Sequence, residues 1–113
     1  MKLDTEQINY HERIILVGLG PHAKRIYINI LKNLHINPKI IVDLECKKEI
    51  TKKYIKDHNI SCDLYFIQNK DKDRRRLSFS DKQNITSLLK HHKITKAIIS
   101  TEPKSHVAYA ELF

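Results

Sequence analysis

Cysteine is scarce in this chain of 113 residues: Cys46 and Cys62 are its two thiols. They stand at opposite ends of a predicted helix of about a dozen residues, which would hold them roughly 20 Å apart, beyond the reach of a disulfide. Glycine is as scarce, with Gly18 and Gly20 alone. Long apolar runs are missing too. No stretch approaches the roughly 20 residues that a membrane-spanning helix needs, and Met1 to Glu12 lacks the apolar centre of a signal peptide. The chain therefore reads as cytoplasmic, with no membrane partner. Solenoid-type repeats, low-complexity tracts and linkers are absent. The seven histidines fall at no metal-ligand spacing with Cys or Asp, so no metal is expected.

What is present suits one compact domain. A hydrophobic content of 41% with 30% charged residues excludes disorder. The net charge of +8 would attract nucleic acid, anionic lipid or a phosphorylated ligand. Its lysines are dispersed along predicted helices, at Lys32, Lys47, Lys48, Lys52, Lys53, Lys56 and Lys90, and the one dense run is Arg74-Arg75-Arg76 in a polar stretch. No recognition motif accompanies the charge, so it reads as solvated surface and no nucleic-acid partner is expected.

After a polar arm over 1–12, strands and helices alternate. Arg13 to Val17 is a continuous apolar run, as a strand buried on both faces of a parallel sheet requires. Pro21 falls in the first turn of a helix, where its missing N–H is harmless, and Ala23, Ile26, Tyr27, Ile30, Leu31 and Leu34 recur at helical spacing as its buried stripe. Lys39 to Leu44 is the second strand and closes with Asp43. Cys46 to Asn59 reads as a second helix with a thin apolar face of Cys46, Ile50, Tyr54 and Ile55. Leu64 to Ile67 is the third strand, and Gln68 to Phe79 a polar loop. Ser80 and Gln83 then form a capping-box pattern before the buried positions Ile85, Leu88, Leu89 and His92. Lys96 to Ser100 is the fourth strand, and a turn from Thr101 leads into a fourth helix from about His106. This alternation predicts an α/β fold, a doubly wound parallel sheet in the order 3-2-1-4 with helices on both faces.

In such a sheet the ligand crevice opens at the carboxyl ends of the strands, where the first and fourth diverge. Gly18-Leu19-Gly20-Pro21-His22-Ala23, Asp43 and Thr101 to His106 all follow strand ends on that rim. The glycine turn reads as a dinucleotide site: Gly18 for the tight turn, Gly20 for approach of a pyrophosphate to bare backbone, and Ala23 for close packing of helix on sheet. Asp43 would accept from the adenosine ribose hydroxyls, favouring NAD over NADP, while Lys47 and Lys48 keep NADP possible. The plainer readings are a ligand-free strand-to-helix turn, an N-cap or surface acid at Asp43, and a locally bonded helix-start residue at His106.

The segments RIILVGLGPHA, IIVD and AIISTEPKSHVAYA together resemble the N-terminal Rossmann domain of the Gfo/Idh/MocA oxidoreductases, over Arg13 to Phe113. In that family the fourth strand leads into a Thr-Pro-Pro-x-x-His turn. The resemblance implies that Gly18, Gly20 and Ala23 line the pyrophosphate, that Asp43 holds the ribose, and that Thr101, Pro103 and His106 line the inner cleft. It also implies hydride transfer to or from a small hydroxylated or carbonyl substrate, sugar-like or cyclitol-like. Glu102 replaces the first proline of the turn, and the family's Glu-Lys-Pro motif would follow a strand beyond Phe113. The second half of the fold is thus expected to be incomplete, the chain a truncated product lacking a C-terminal substrate domain and inactive alone. Lys96 to Ser100 would then be a sheet edge and a route to a homo-oligomer. The alternatives are a non-catalytic nucleotide-sensing module and an S-adenosylmethionine-binding protein; against the second, the fourth strand lacks an acidic Asp-Pro-Pro-Tyr-like end.

Overall fold

A computed structural model describes residues 13–68, 77–101 and 109–113. The strands are β1 (Ile14–Val17), β2 (Ile40–Leu44), β3 (Asp63–Ile67) and β4 (Lys96–Ile99). All pairings are parallel and the order is β3-β2-β1-β4, the doubly wound, Rossmann-like arrangement that the alternation predicts. Each strand differs from its expected span by one residue at one end. Among the described residues no helix is long and apolar enough to cross a membrane.

Every residue of β1 is buried because the two faces of the sheet are both covered. Ile15 and Val17 share one face with Ile40, Val42, Ile67, Leu77, Ile85 and Tyr109. Leu16 and Ile41 share the other with Leu19, Ala23, Ile28, Ile55 and Ile60. The second face is covered by the helix after β1 and by α2 (Lys48–Asp57), which follows a 3-10 turn at Glu45–Lys47. The first face is covered by α3 (Phe79–His91) and a helical turn over 109–112.

The helix after β1 departs from the expected stripe. Its opening, Ala23–Tyr27, is wound as a π-turn, with the N–H of Ile28 donating to the carbonyl of Ala23, before it continues as α1 (Ile28–Asn33). An i→i+5 bond inserts one residue into the turn. Ile28 is thereby brought under Ala23, and the buried set becomes Ala23, Ile28 and Leu31, while Ile30 and Leu34 are 49% and 46% exposed. In α2 the buried positions are Thr51 and Ile55, and Ile50, expected inside, is exposed. Cys46 lies exposed in the preceding turn, and both thiols are free.

The cap of α3 stands two residues before the expected one. Ser78, extended at ψ 159°, accepts from the N–H of Asp81 through its hydroxyl at 3.0 Å, so the capping pair is Ser78 with Asp81, not Ser80 with Gln83. Phe79, read as loop, is the first helical residue. The far end of α3 is tied to the start of β1: the Nε of Arg13 donates to the carbonyl of His92, and its backbone N–H to Thr95 Oγ1 at 3.0 Å. His92 Nε2 lies 2.7 Å from Asp63 Oδ2 at the start of β3.

All three helices end in the same way. His35, Asn59 and Lys93 stand at φ 58°, 53° and 53°, the left-handed conformation that glycine adopts most easily. The N–H of each following isoleucine closes the last turn: Ile36 to the carbonyl of Leu31 at 2.8 Å, Ile60 to Ile55 at 3.0 Å, Ile94 to Leu89 at 3.0 Å. These are Schellman caps with an apolar residue after the left-handed one. None uses glycine. Replacing Lys93 by glycine relieves about 1–2 kcal/mol of left-handed strain against about 0.5–1 kcal/mol of extra chain entropy, so Lys93→Gly should raise stability by about 0.5–1 kcal/mol in urea unfolding.

Candidate functional site

The turn after β1 is fixed from both sides. The N–H of Gly18 donates to the carbonyl of Val42 in β2 at 2.7 Å, and the N–H of Ser100 beyond β4 donates to the carbonyl of Val17 at 2.7 Å. Gly18 is squeezed into this junction at φ +91°, and a Cβ there would stand 2.4 Å from the carbonyl oxygen of Ser100 and 3.1 Å from the Thr101 methyl. Thr101, half-buried, therefore lies beside the glycine turn. Leu19 is buried with the α1–α2 core, and Pro21 and His22 are exposed at the helix start. The His22 ring meets Tyr27 edge to face at 5.6 Å. Pro103, His106, Glu102 and Arg74 to Arg76 lie outside the described residues.

Gly20 has none of the constraints of Gly18. Its φ is not left-handed, and a Cβ built there meets nothing within 4 Å. Its carbonyl accepts from the N–H of Lys24 at 3.0 Å, which makes it the helix N-cap. An N-cap chosen for stability alone is Ser, Thr, Asp or Asn, whose side chain occupies the first-turn amides. Glycine leaves them bare. Among the described residues no group accepts from the N–H of Gly20, His22 or Ala23. Among the described residues three amides at the positive end of the helix dipole thus have no acceptor, an arrangement suited to an anion.

Asp43 sits on the adjacent strand end, 5% exposed and turned toward α2. Its Oδ2 accepts from Thr51 Oγ1 at 3.0 Å, and its Oδ1 from the N–H of Leu44 at 2.8 Å. Thr51, absent from the residues picked out by sequence, is the donor that anchors this carboxylate; its signal is the i,i+4 pair Thr51 and Ile55 on one helical face. Ile55 is buried and Tyr54 packs on the core as expected, and Thr51 takes the place expected of Ile50: a buried carboxylate needs a donor, so the hydroxyl turns in and Ile50 turns out. Thr51→Val removes that donor beneath a carboxylate that water barely reaches and should cost about 1–3 kcal/mol in urea unfolding, with Thr51→Ser restoring most of it.

No family model matches the chain, nor does any curated protein or solved structure.

A second acid, Asp81, is 8% exposed at the start of α3. Its Oδ1 accepts from the Tyr65 hydroxyl at 2.5 Å, and that hydroxyl accepts from Asn84 Nδ2 at 3.1 Å. Burial, and then the hydrogen bond to Asp81, raise the Tyr65 phenol above its ordinary value. Tyr109, 4% exposed, is pushed up further, by burial first and then by the carboxylates of Asp81 and Asp43. The sequence signal for Asp81 is the Ser-x-x-Asp spacing from Ser78. Lys48 Nζ lies 3.7 Å from Glu45 and over the Phe66 ring, so it is engaged beside β2. Among the described residues no group of three or more His, Cys, Asp or Glu converges as a metal site would.

Proposed function

We propose that this chain is the nucleotide-binding part of an NAD(P)-dependent oxidoreductase of the Gfo/Idh/MocA type, with Gly18 to Ala23 receiving the pyrophosphate. The supporting observation is Gly20. The chain does without glycine at three left-handed helix caps where it would relieve strain, yet has one at Gly20, where among the described residues neither a left-handed φ nor a neighbour within 4 Å of a Cβ requires it. Glycine is tolerated at an N-cap, and a close-approaching ligand gives a further reason for the missing side chain there. In this reading the three bare amides take the phosphate oxygens, and the adenosine ribose shares Asp43 with Thr51. Thr101, Pro103 and His106 line the inner cleft, and the coenzyme supplies the hydride chemistry for a small hydroxylated or carbonyl substrate. Two free thiols suit a reducing compartment, the cytoplasm.

Calorimetric titration with NADH tests the proposal. The wild-type chain should bind, and Gly20→Ala should lose about tenfold in affinity, or about 1.4 kcal/mol. Its unfolding free energy should move by no more than about 1 kcal/mol, the scale of an N-cap change. Absence of binding, or equal binding by Gly20→Ala, refutes it. Binding of S-adenosylmethionine in competition with NADH would move the site to methyl-transfer chemistry.

A further inference from the structure

Lys47 and Lys48 follow Asp43 closely enough to neutralise a 2′-phosphate on the ribose, so the choice between the two nicotinamide coenzymes turns on where their ammonium groups are held. A single 3-10 turn, Glu45–Lys47, separates β2 from α2, and the N–H of Lys48 closes it on the carbonyl of Glu45. Side chains three apart eclipse in that winding. Glu45 and Lys48 are thereby stacked, with Lys48 Nζ 3.7 Å from Glu45 Oε1.

A second contact gives this ion pair a direction. Phe66 of β3 is the register partner of Asp43, and partners in a parallel ladder face the same side of the sheet. Its ring therefore stands on the α2 side, next to the carboxylate. Lys48 Nζ lies 5.9 Å from the centre of that ring, within the range of a cation–π contact. In the order β3-β2-β1, Phe66 is on one side of Asp43 and the glycine turn after β1 is on the other. The ammonium is thus drawn away from the turn. Released, it could swing back, because Lys48 stands three residues before Thr51, the donor to Asp43, on the same flank of α2.

We propose that Glu45 is a positioning residue that restricts this site to NAD. The proposal rests on the nucleotide reading. With Lys48 held over Phe66 by Glu45, a 2′-phosphate on a ribose at Asp43 meets a carboxylate whose nearby cation is already engaged. Glu45 itself adds a second negative charge two residues on. The unphosphorylated ribose of NAD meets no such repulsion. NADP is rejected through the placement of a cation that the chain already carries.

Paired calorimetric titrations with NADH and NADPH test it. The wild-type chain should favour NADH by about tenfold or more, the effect of an unneutralised phosphate beside a carboxylate. Glu45→Gln should tighten NADPH about fivefold, the scale of one exposed ion pair. Its affinity for NADH should not change, which also shows that the site has kept its shape. In a Lys48→Met background the same Glu45→Gln change should give less than half of that gain, because the effect runs through the lysine. Lys47→Met should leave the gain whole. Equal binding of the two coenzymes by the wild-type chain, an unchanged NADPH affinity in Glu45→Gln, a gain undiminished by Lys48→Met, or one abolished by Lys47→Met would overturn the proposal. In each of these cases NADH still binds, so the nucleotide reading stands. Binding of neither coenzyme refutes both.

Discussion

Gly18→Ala should lower the unfolding free energy by about 3 kcal/mol or more, among the largest effects of any single methyl in this chain. Two costs combine. A left-handed φ of +91° strains any side-chain-bearing residue, and the new Cβ would stand 2.4 Å from a backbone oxygen of Ser100. That oxygen belongs to the segment leaving β4, whose N–H is bonded to Val17, so it cannot withdraw without loosening the β1–β4 junction. Gly20→Ala, two residues on, should cost no more than about 1 kcal/mol. Urea unfolding of both variants reads the contrast directly. Equal losses would mean that the second glycine is also held by the fold, and the case for a ligand at the turn would fall with it.

Ile85→Ala should cost about 3–4 kcal/mol, in the upper half of the range for a large aliphatic residue. Ile85 is the one apolar side chain of α3 with no exposure, and it meets β1, β2 and Tyr109. The floor of the resulting cavity would be a hydrogen-bonded parallel sheet and its far wall the 109–112 turn, so little can move in to fill it. Leu88→Ala on the same helix, at a half-buried position, should cost about half as much. Denaturant midpoints with unchanged slopes would support this; a loss near 1 kcal/mol at Ile85 would mean that α3 docks chiefly through its capping residues.

The strands and their order were legible because a parallel strand covered on both faces is a plain apolar run, and Ile14 to Val17 and Ile40 to Val42 have no polar interruption. Helix faces were less so. A stripe read at a fixed helical period fails where one residue is inserted, and nothing in Ala23 to Tyr27 announces the π-turn. The face of α2 was misread for a different reason: hydrophobicity ranks Ile50 above Thr51, whereas the buried carboxylate of Asp43 needs a hydroxyl. The cap of α3 was displaced because Phe79 looked like loop, although Ser78 and Asp81 carry the same spacing as Ser80 and Gln83. At the rim, the glycines and Asp43 stand where the pattern placed them. What their types could not convey is that Gly18 is held by sterics and Gly20 by none.

The π-turn has a consequence for how this helix could change. Ile26, Ile30 and Leu34 on one flank, and Ile28 and Leu31 on the other, give the segment two hydrophobic sides a fraction of a turn apart. Deleting a single amino acid between Ala23 and Tyr27 would restore ordinary winding and leave Ile28 and Leu31 four and seven residues from Ala23, so the inner set would stay inside. Rewinding the same turn with no deletion would instead swing Ile30 and Leu34, seven and eleven residues from Ala23, toward the strands, so one hydrogen bond's span decides which side this helix shows.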